Sequence, residues 1–226
     1  MHESVKSAAY FKMMYLCCMD APEIPFMIYA ESTPNPASMK FVANKMLLPQ
    51  GATAQYNTIG ETKDAPLAQK LFEFPFVRQV FISGNYVTVS KADFVSWDDV
   101  LMETRVFITE YLNKKGNVVI KEIPTQQLAT DTSFKTTETI FTEHAAPKNQ
   151  TEAKIIEVLE QYIRPAVEQD GGMIVFKELN EGIVTVKMKG ACSGCPSSTM
   201  TLKAGIEGLL KRLLPDEIKE VVSEEA

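Results

Sequence analysis

Hydrophobic and polar positions change rhythm several times along this chain, and each rhythm predicts an element. Val77 to Ile82 and Tyr86 to Val89 are β-branched and aromatic runs hinged at Gly84-Asn85, which predicts a hairpin. Upstream, Phe26-Met27-Ile28-Tyr29-Ala30 predicts a short strand that Thr33-Pro34-Asn35-Pro36 must stop, because proline fixes φ and lacks a donor. Met39 to Val42 then alternates as a second strand, a hairpin-like partner for the first. Asp64-Ala65-Pro66, followed by Leu67, Leu71 and Phe72, predicts a short helix with Asp64 as N-cap, running to about Glu73 and closed off by Pro75. Ser96 with Asp99 resembles a capping box. Trp97, Val100, Leu101, Ile108, Tyr111 and Leu112 then form one helical stripe, expected to pack on the hairpin and to end at Gly116.

From about Ile120 to Gln150 the texture is Thr-rich, poor in aliphatics and without a sustained period, which predicts a tether. Periodicity resumes near Thr151. Ile155, Ile156, Leu159, Tyr162 and Ile163 share a helical face, with Pro165 placed to kink the helix. Asp170-Gly171-Gly172 turns the chain, Met173 to Leu179 and Ile183 to Met188 predict a second hairpin about Asn180-Glu181-Gly182, and Val184, Val186 and Met188 share one face. Leu202, Ile206, Leu209, Leu210 and Leu213 form the stripe of a last helix that stops before Pro215, and Ile218 to Val222 predicts a final strand.

The predicted fold class is therefore α+β: two small α/β-layer domains joined by a flexible linker, the second an α-β-β-α-β layer. Residues 27–119 form the first domain, 120–150 the linker and 151–226 the second domain. Residues 1–26 read as a poorly structured leader, with Met27 as an alternative initiator. That leader lacks a signal-peptide cleavage pattern, and the absence of Arg together with Glu3, Asp20 and Glu23 does not suit a mitochondrial presequence.

Composition narrows the function classes. With 45% hydrophobic and 23% charged residues, the chain has the makeup of a globular protein. A net charge of -6 argues against nucleic acid as a partner, since phosphate binding needs clustered Lys and Arg. No run approaches the roughly 20 apolar residues of a membrane span. The 4 cysteines, Cys17, Cys18, Cys192 and Cys195, are too few and too local for a disulfide-stapled secreted fold. A reducing compartment fits: the cytoplasm of a bacterium, or alternatively an organellar matrix.

The chemistry concentrates in Gly190-Ala191-Cys192-Ser193-Gly194-Cys195-Pro196-Ser197-Ser198, between the second hairpin and the last helix. Unpaired N–H groups and the dipole at a helix start stabilise anionic sulfur, so both thiols are expected to be more acidic than free cysteine and to point outwards. The glycines let the backbone bend around whatever the sulfurs hold, and Pro196 suits a first helical turn. Two such cysteines can be buried hydrophobes or an incidental disulfide. They can also act as a thiol-disulfide oxidoreductase, pin a dimeric adaptor through zinc, or hold an iron-sulfur centre. A tetrahedral centre needs four ligands, whereas this domain offers Cys192 and Cys195 and no histidine; His144 and His2 are expected to be solvated. The economical solution is a homodimer in which each copy contributes its pair.

Glu168-Gln169-Asp170-Gly171-Gly172 and the run Gly190 to Thr199 resemble the NifU C-terminal (Nfu) domain, and Tyr29-Ala30-Glu31-Ser32-Thr33-Pro34-Asn35-Pro36 through Phe41 is similar to the N-terminal domain of Nfu-type proteins. The resemblance implies an iron-sulfur cluster scaffold or carrier rather than an enzyme. A [4Fe-4S] cluster, or a [2Fe-2S], would bridge the Cys192 and Cys195 pairs of two subunits. It would arrive from an upstream assembly scaffold and be delivered to apo iron-sulfur client proteins, with the N-terminal domain docking client or partner.

Overall fold

The structure, a computed structural model, describes residues 24–49, 51–114, 116–119, 143–193 and 196–224. Most of the leader and most of the linker lie outside these residues. Architecture is α+β, as the alternation predicts. The first domain is a five-stranded antiparallel sheet in the order β1-β2-β5-β4-β3, with β1 Ile28–Ser32, β2 Ser38–Ala43, β3 Thr53–Tyr56, β4 Val77–Ser83 and β5 Tyr86–Lys91. A 3₁₀ turn, Ile59–Asp64, leads into α1, Pro66–Leu71, and α2 spans Trp97–Asn113.

Local chemistry explains these elements. Ser96 caps α2 by accepting from the Asp98 N–H, and Val100, Thr104, Ile108 and Leu112 at every fourth position form its buried seam. Gly84, at φ +48, makes the tight turn between β4 and β5. Asp64 does not cap α1, whose N-cap Ala65 lacks a side-chain cap. Gly116 lets the chain fold back under the Tyr111 ring, because a Cβ there would sit 2.4 Å from Tyr111 Cε1. Pro25 and Phe26 are tied down before β1: Asn44 donates to the Pro25 carbonyl, while Asn113 accepts from the Phe26 N–H and donates to its carbonyl.

β4 carries an unusual burden. A bulge between Val77 and Gln79 resets the alternation, after which Val80 and Ile82 enter the main core with Phe41, Leu67, Leu71, Val87 and Ile108. Phe81, between them, points to the opposite face and is nonetheless fully buried, with Tyr86 beside it. Both faces of this hairpin are covered, and the cover on the second face is the other domain.

That second domain runs α3 Gln150–Val158, a π-helical turn Leu159–Ile163, α4 Arg164–Gln169, β6 Gly172–Asn180, β7 Ile183–Gly190, α5 Pro196–Leu213 and β8 Glu220–Glu224. β6 and β7 are antiparallel, and α5 carries the chain over to β8, which lies parallel to β7. Pro165 acts where the sequence places a kink: it lacks an N–H, and the helix widens into the π turn just before it. Glu181 and Gly182, both at positive φ, form the two-residue turn between β6 and β7. Val184, Val186 and Met188 share the core face with Phe176, Ile206 and Leu210, each such side chain contributing about 1.5–3 kcal/mol on burial. Leu213, assigned to the buried stripe, is instead 47% exposed; Leu214 takes the core position. Among the described residues no helix is long and apolar enough to cross a membrane.

Candidate functional site

The cysteine loop is a turn between the end of β7 and the start of α5. Gly190 leaves the strand at φ +66, where a Cβ would lie 2.6 Å from the Gly171 carbonyl oxygen. Its carbonyl accepts from both the N–H (3.1 Å) and the hydroxyl (2.8 Å) of Ser193, and Thr199 Oγ1 in the first turn of α5 donates to the Cys192 carbonyl. The Ala191 N–H donates to Gly171, which joins the loop to the Asp170-Gly171-Gly172 turn. Gly172 then makes room for sulfur: a Cβ there would stand 2.5 Å from Cys192 Sγ and 2.8 Å from the Lys189 carbonyl oxygen. The two glycine-bearing segments are thus the two walls around one thiol.

Cys192 does not point outwards. It is 7% exposed and belongs to the apolar cluster with Ile206 and Met188. Burial, with a smaller contribution from the Asp170 carboxylate, pushes its thiol up to about 12. The expected acidification fails for this sulfur because Cys192 precedes Pro196 by four residues and turns into the core, where burial raises the thiol. Cys195, together with Cys17, Cys18 and His2, lies outside the described residues. Among the described residues no three His, Cys, Asp or Glu side chains converge as a metal-ligand set.

Beside Cys192 is a cavity of about 580 Å³ lined by Ile163, Asp170, Leu202 and Gly205 from the second domain and by Pro34 and Asn35 from the first. That size is within the range of small-ligand sites. The Thr33-Pro34-Asn35-Pro36 loop is therefore part of the site. Asn35, only 6% exposed, accepts from the Ala37 N–H through Oδ1 and donates through Nδ2 to the Ala191 carbonyl at 3.1 Å. Nothing in the sequence singled out Tyr86 or Thr88, and Asn35 stood out only within the Thr33-Pro34-Asn35-Pro36 stretch; the available signal was the apolar Phe81 between Val80 and Ile82, which marks a sheet with two covered faces.

A second polar cluster joins His144, Glu160, Arg164 and Glu168. His144 is not solvated but 4% exposed: its Nδ1 accepts from the Phe176 N–H at 2.7 Å, so Nε2 carries the proton and donates to Glu160 at 2.6 Å. Arg164 ties Glu160 to Glu168 through its two donors. The Thr-rich composition hid this, because a tether predicts solvent, whereas the Ala145 N–H pairs with the Phe176 carbonyl and lays the segment along β6. Burial pulls the Glu160 carboxyl up, but donation from His144 and Arg164 outweighs it and holds the group below its ordinary 4.5. A lowered folded-state value means stability that is present above the unfolded value and lost as pH falls through the folded one. Glu160→Gln is thus expected to lower stability by about 1–2 kcal/mol at neutral pH. Its deficit relative to the native chain should shrink below about pH 4.5, and thermal melts across that range check the outcome.

Known proteins give this geometry a context. The family model described as "Scaffold protein Nfu/NifU N terminal" matches residues 28–115, and the one described as "NifU-like domain" matches residues 155–222. The chain belongs to the Nfu/NifU scaffold family and carries both of these domains. It is 33% identical over 200 residues to the "NFU1 iron-sulfur cluster scaffold homolog, mitochondrial" of Drosophila willistoni, covering 88% of this chain and 64% of that protein. It is 35% identical over 199 residues to the "NifU-like protein 4, mitochondrial" of Arabidopsis thaliana, covering 87% and 65%. The chain thus spans less than two thirds of the length of these relatives. Among solved structures, a solution structure of a NifU-like protein from Saccharomyces cerevisiae aligns with a TM-score of 0.40 and 26% identity, covering 45% of this chain and 91% of that one.

Proposed function

We propose that this chain is a non-catalytic iron-sulfur cluster scaffold whose ligands are Cys192 and Cys195. The observation that carries the reading is the socket around Cys192, where two glycine turns are shaped to seat a sulfur against backbone at the edge of a ligand-sized cavity. The Drosophila willistoni relative, named an iron-sulfur cluster scaffold homolog, supports it.

One copy brings two cysteines to a centre that wants four ligands, so the cluster, [4Fe-4S] or [2Fe-2S], bridges two copies. It leaves by ligand exchange: each incoming thiolate of an apo client takes one iron coordination position as Cys192 or Cys195 gives it up, and no electron changes hands. An upstream assembly scaffold supplies the cargo. The mitochondrial relatives favour an organellar matrix over a bacterial cytoplasm as the place of action. Anaerobic reconstitution with iron and sulfide is expected to give a brown dimer with about four iron per two chains. A colourless monomer retaining only zinc overturns the reading.

A further inference from the structure

The polar face of the first domain is fitted to the backbone of the cysteine socket. Thr88 donates to the Gly171 carbonyl at 2.7 Å and Tyr86 to the Gly172 carbonyl at 3.0 Å, both bonds buried. Lys40 reaches the Gln169 carbonyl, Asn35 holds Ala191, Gln55 accepts from the Gly190 N–H at 3.0 Å, and Gln79 pairs with Ser193. Side chains of β2, β3, β5 and the Asn35 loop therefore bind main-chain groups in or beside both segments that wall Cys192, while Gln79 of β4 pairs with the Ser193 side chain. The apolar middle of this contact is Phe81, Tyr86 and Met173, fully or almost fully buried.

The fit extends to the glycines. A Cβ on Gly171, at φ +78, would meet Thr88 Oγ1 at 3.0 Å and Lys40 Cβ at 3.3 Å, and one on Gly190 would meet Phe81 Cδ1 at 2.7 Å. Two of the glycines that shape the socket thus also admit the other domain. Glu143, just before the second domain, spans the joint by accepting from the Thr53 N–H and hydroxyl and from Lys189. Between Val119 and Glu143 the sequence holds 23 residues, a contour length of roughly 75–80 Å.

We propose that the N-terminal domain is a reversible cap on the cysteine socket. Docked, it fixes the two glycine segments and, through Pro34 and Asn35, closes one side of the cavity beside Cys192; it lifts before a second copy brings its own cysteines to a shared cluster. The docked half of this statement rests on the contacts above, and the lifting half rests on the scaffold reading. When the cap lifts, Phe81, Tyr86 and Met173 become an apolar surface that a partner must cover, which ties uncapping to the arrival of the second copy.

The test uses the full-length apo chain and no metal, so it stands apart from whether a cluster binds. Asn35→Asp, Tyr86→Phe and Thr88→Val are near-isosteric. The first keeps the acceptor for Ala37 and loses the donor to Ala191, the second removes only a hydroxyl, and the third exchanges a hydroxyl for a methyl group. In the triple variant, iodoacetamide is expected to alkylate Cys192, followed by peptide mass spectrometry, at least about tenfold faster than in the native chain, and exchange of the Gly190 amide is expected to accelerate with it. Asn35→Asp alone, confined to a loop, should give roughly a threefold rise and keeps the test open should the triple variant fold poorly. Unchanged alkylation in these variants, or faster alkylation with the Gly190 amide still protected, overturns the cap. In the native chain loaded anaerobically with cluster, the Gly190 amide is expected to exchange faster than in the apo form; equal protection overturns the lifting step alone.

Discussion

Replacing Cys192 by serine is expected to reduce the iron retained after anaerobic reconstitution to background and to lower stability by about 1–2 kcal/mol. The two losses have different origins. Serine offers the cluster a poor, largely protonated ligand in place of a thiolate, and it places a hydroxyl in a site that is 7% exposed and lined by apolar side chains. Cys192→Ala separates them: it also loses the iron, while its stability cost, set by a void about the size of one methyl group, is about 1 kcal/mol. Iron and sulfide counts check the first loss and denaturant melts the second. Iron retained at the native stoichiometry by Cys192→Ala removes Cys192 from the ligand set.

Most of the fold was legible because its signals are local. Gly84-Asn85 and Glu181-Gly182 hinge alternating runs, Ser96 opens a helix whose seam repeats every fourth residue, and Pro165 disturbs a helix where a missing N–H must. β3 was not legible: Thr53–Tyr56 is four residues long, its alternation rests on Ala54 and Tyr56 alone, and it becomes a strand because β4 offers it a ladder. Leu213 was misplaced because one helical position decides between Leu213 and Leu214, and the strand β8 beneath α5 selects the latter.

The site divides differently. Cys192 and the Asp-Gly-Gly turn were visible as residues, but their relation was not. Glycines read as turn formers are here spacers: Gly172 clears Cys192 Sγ, and Gly171 and Gly190 also clear side chains of the other domain. Exposure of the thiol was inferred from the helix it precedes, whereas the sulfur faces the core. Asn35 looked like loop punctuation between two prolines, and His144 like a tether residue. Each of these depends on contacts between residues far apart in sequence, Asn35 with Ala191 or His144 with Phe176, which no local periodicity encodes.

Gly172→Ala is expected to damage the socket more than any conservative change outside it, at a cost of about 3 kcal/mol or more. The added methyl would stand 2.5 Å from Cys192 Sγ and 2.8 Å from the Lys189 carbonyl oxygen. The carbonyl belongs to the β6–β7 ladder, opposite Met173, and cannot withdraw without unpairing Met173 from Lys189. The sulfur is the softer neighbour, yet its own retreat is into a core filled by Ile206, Met188 and Leu210. Strain therefore divides between a loosened β6–β7 end and a displaced thiol, and the two consequences should appear together: a lower melting temperature in the apo chain, and a cluster that reconstitutes at reduced occupancy and is lost faster to a chelator. Gly205→Ala is the control, since a Cβ there meets nothing within 4 Å although Gly205 lines the same cavity. It should raise stability by up to about 1 kcal/mol through helix propensity. A Gly172→Ala chain that melts like the native one and holds its cluster equally well means that Cys192 has another place to go, and the socket geometry drawn from Gly172 falls.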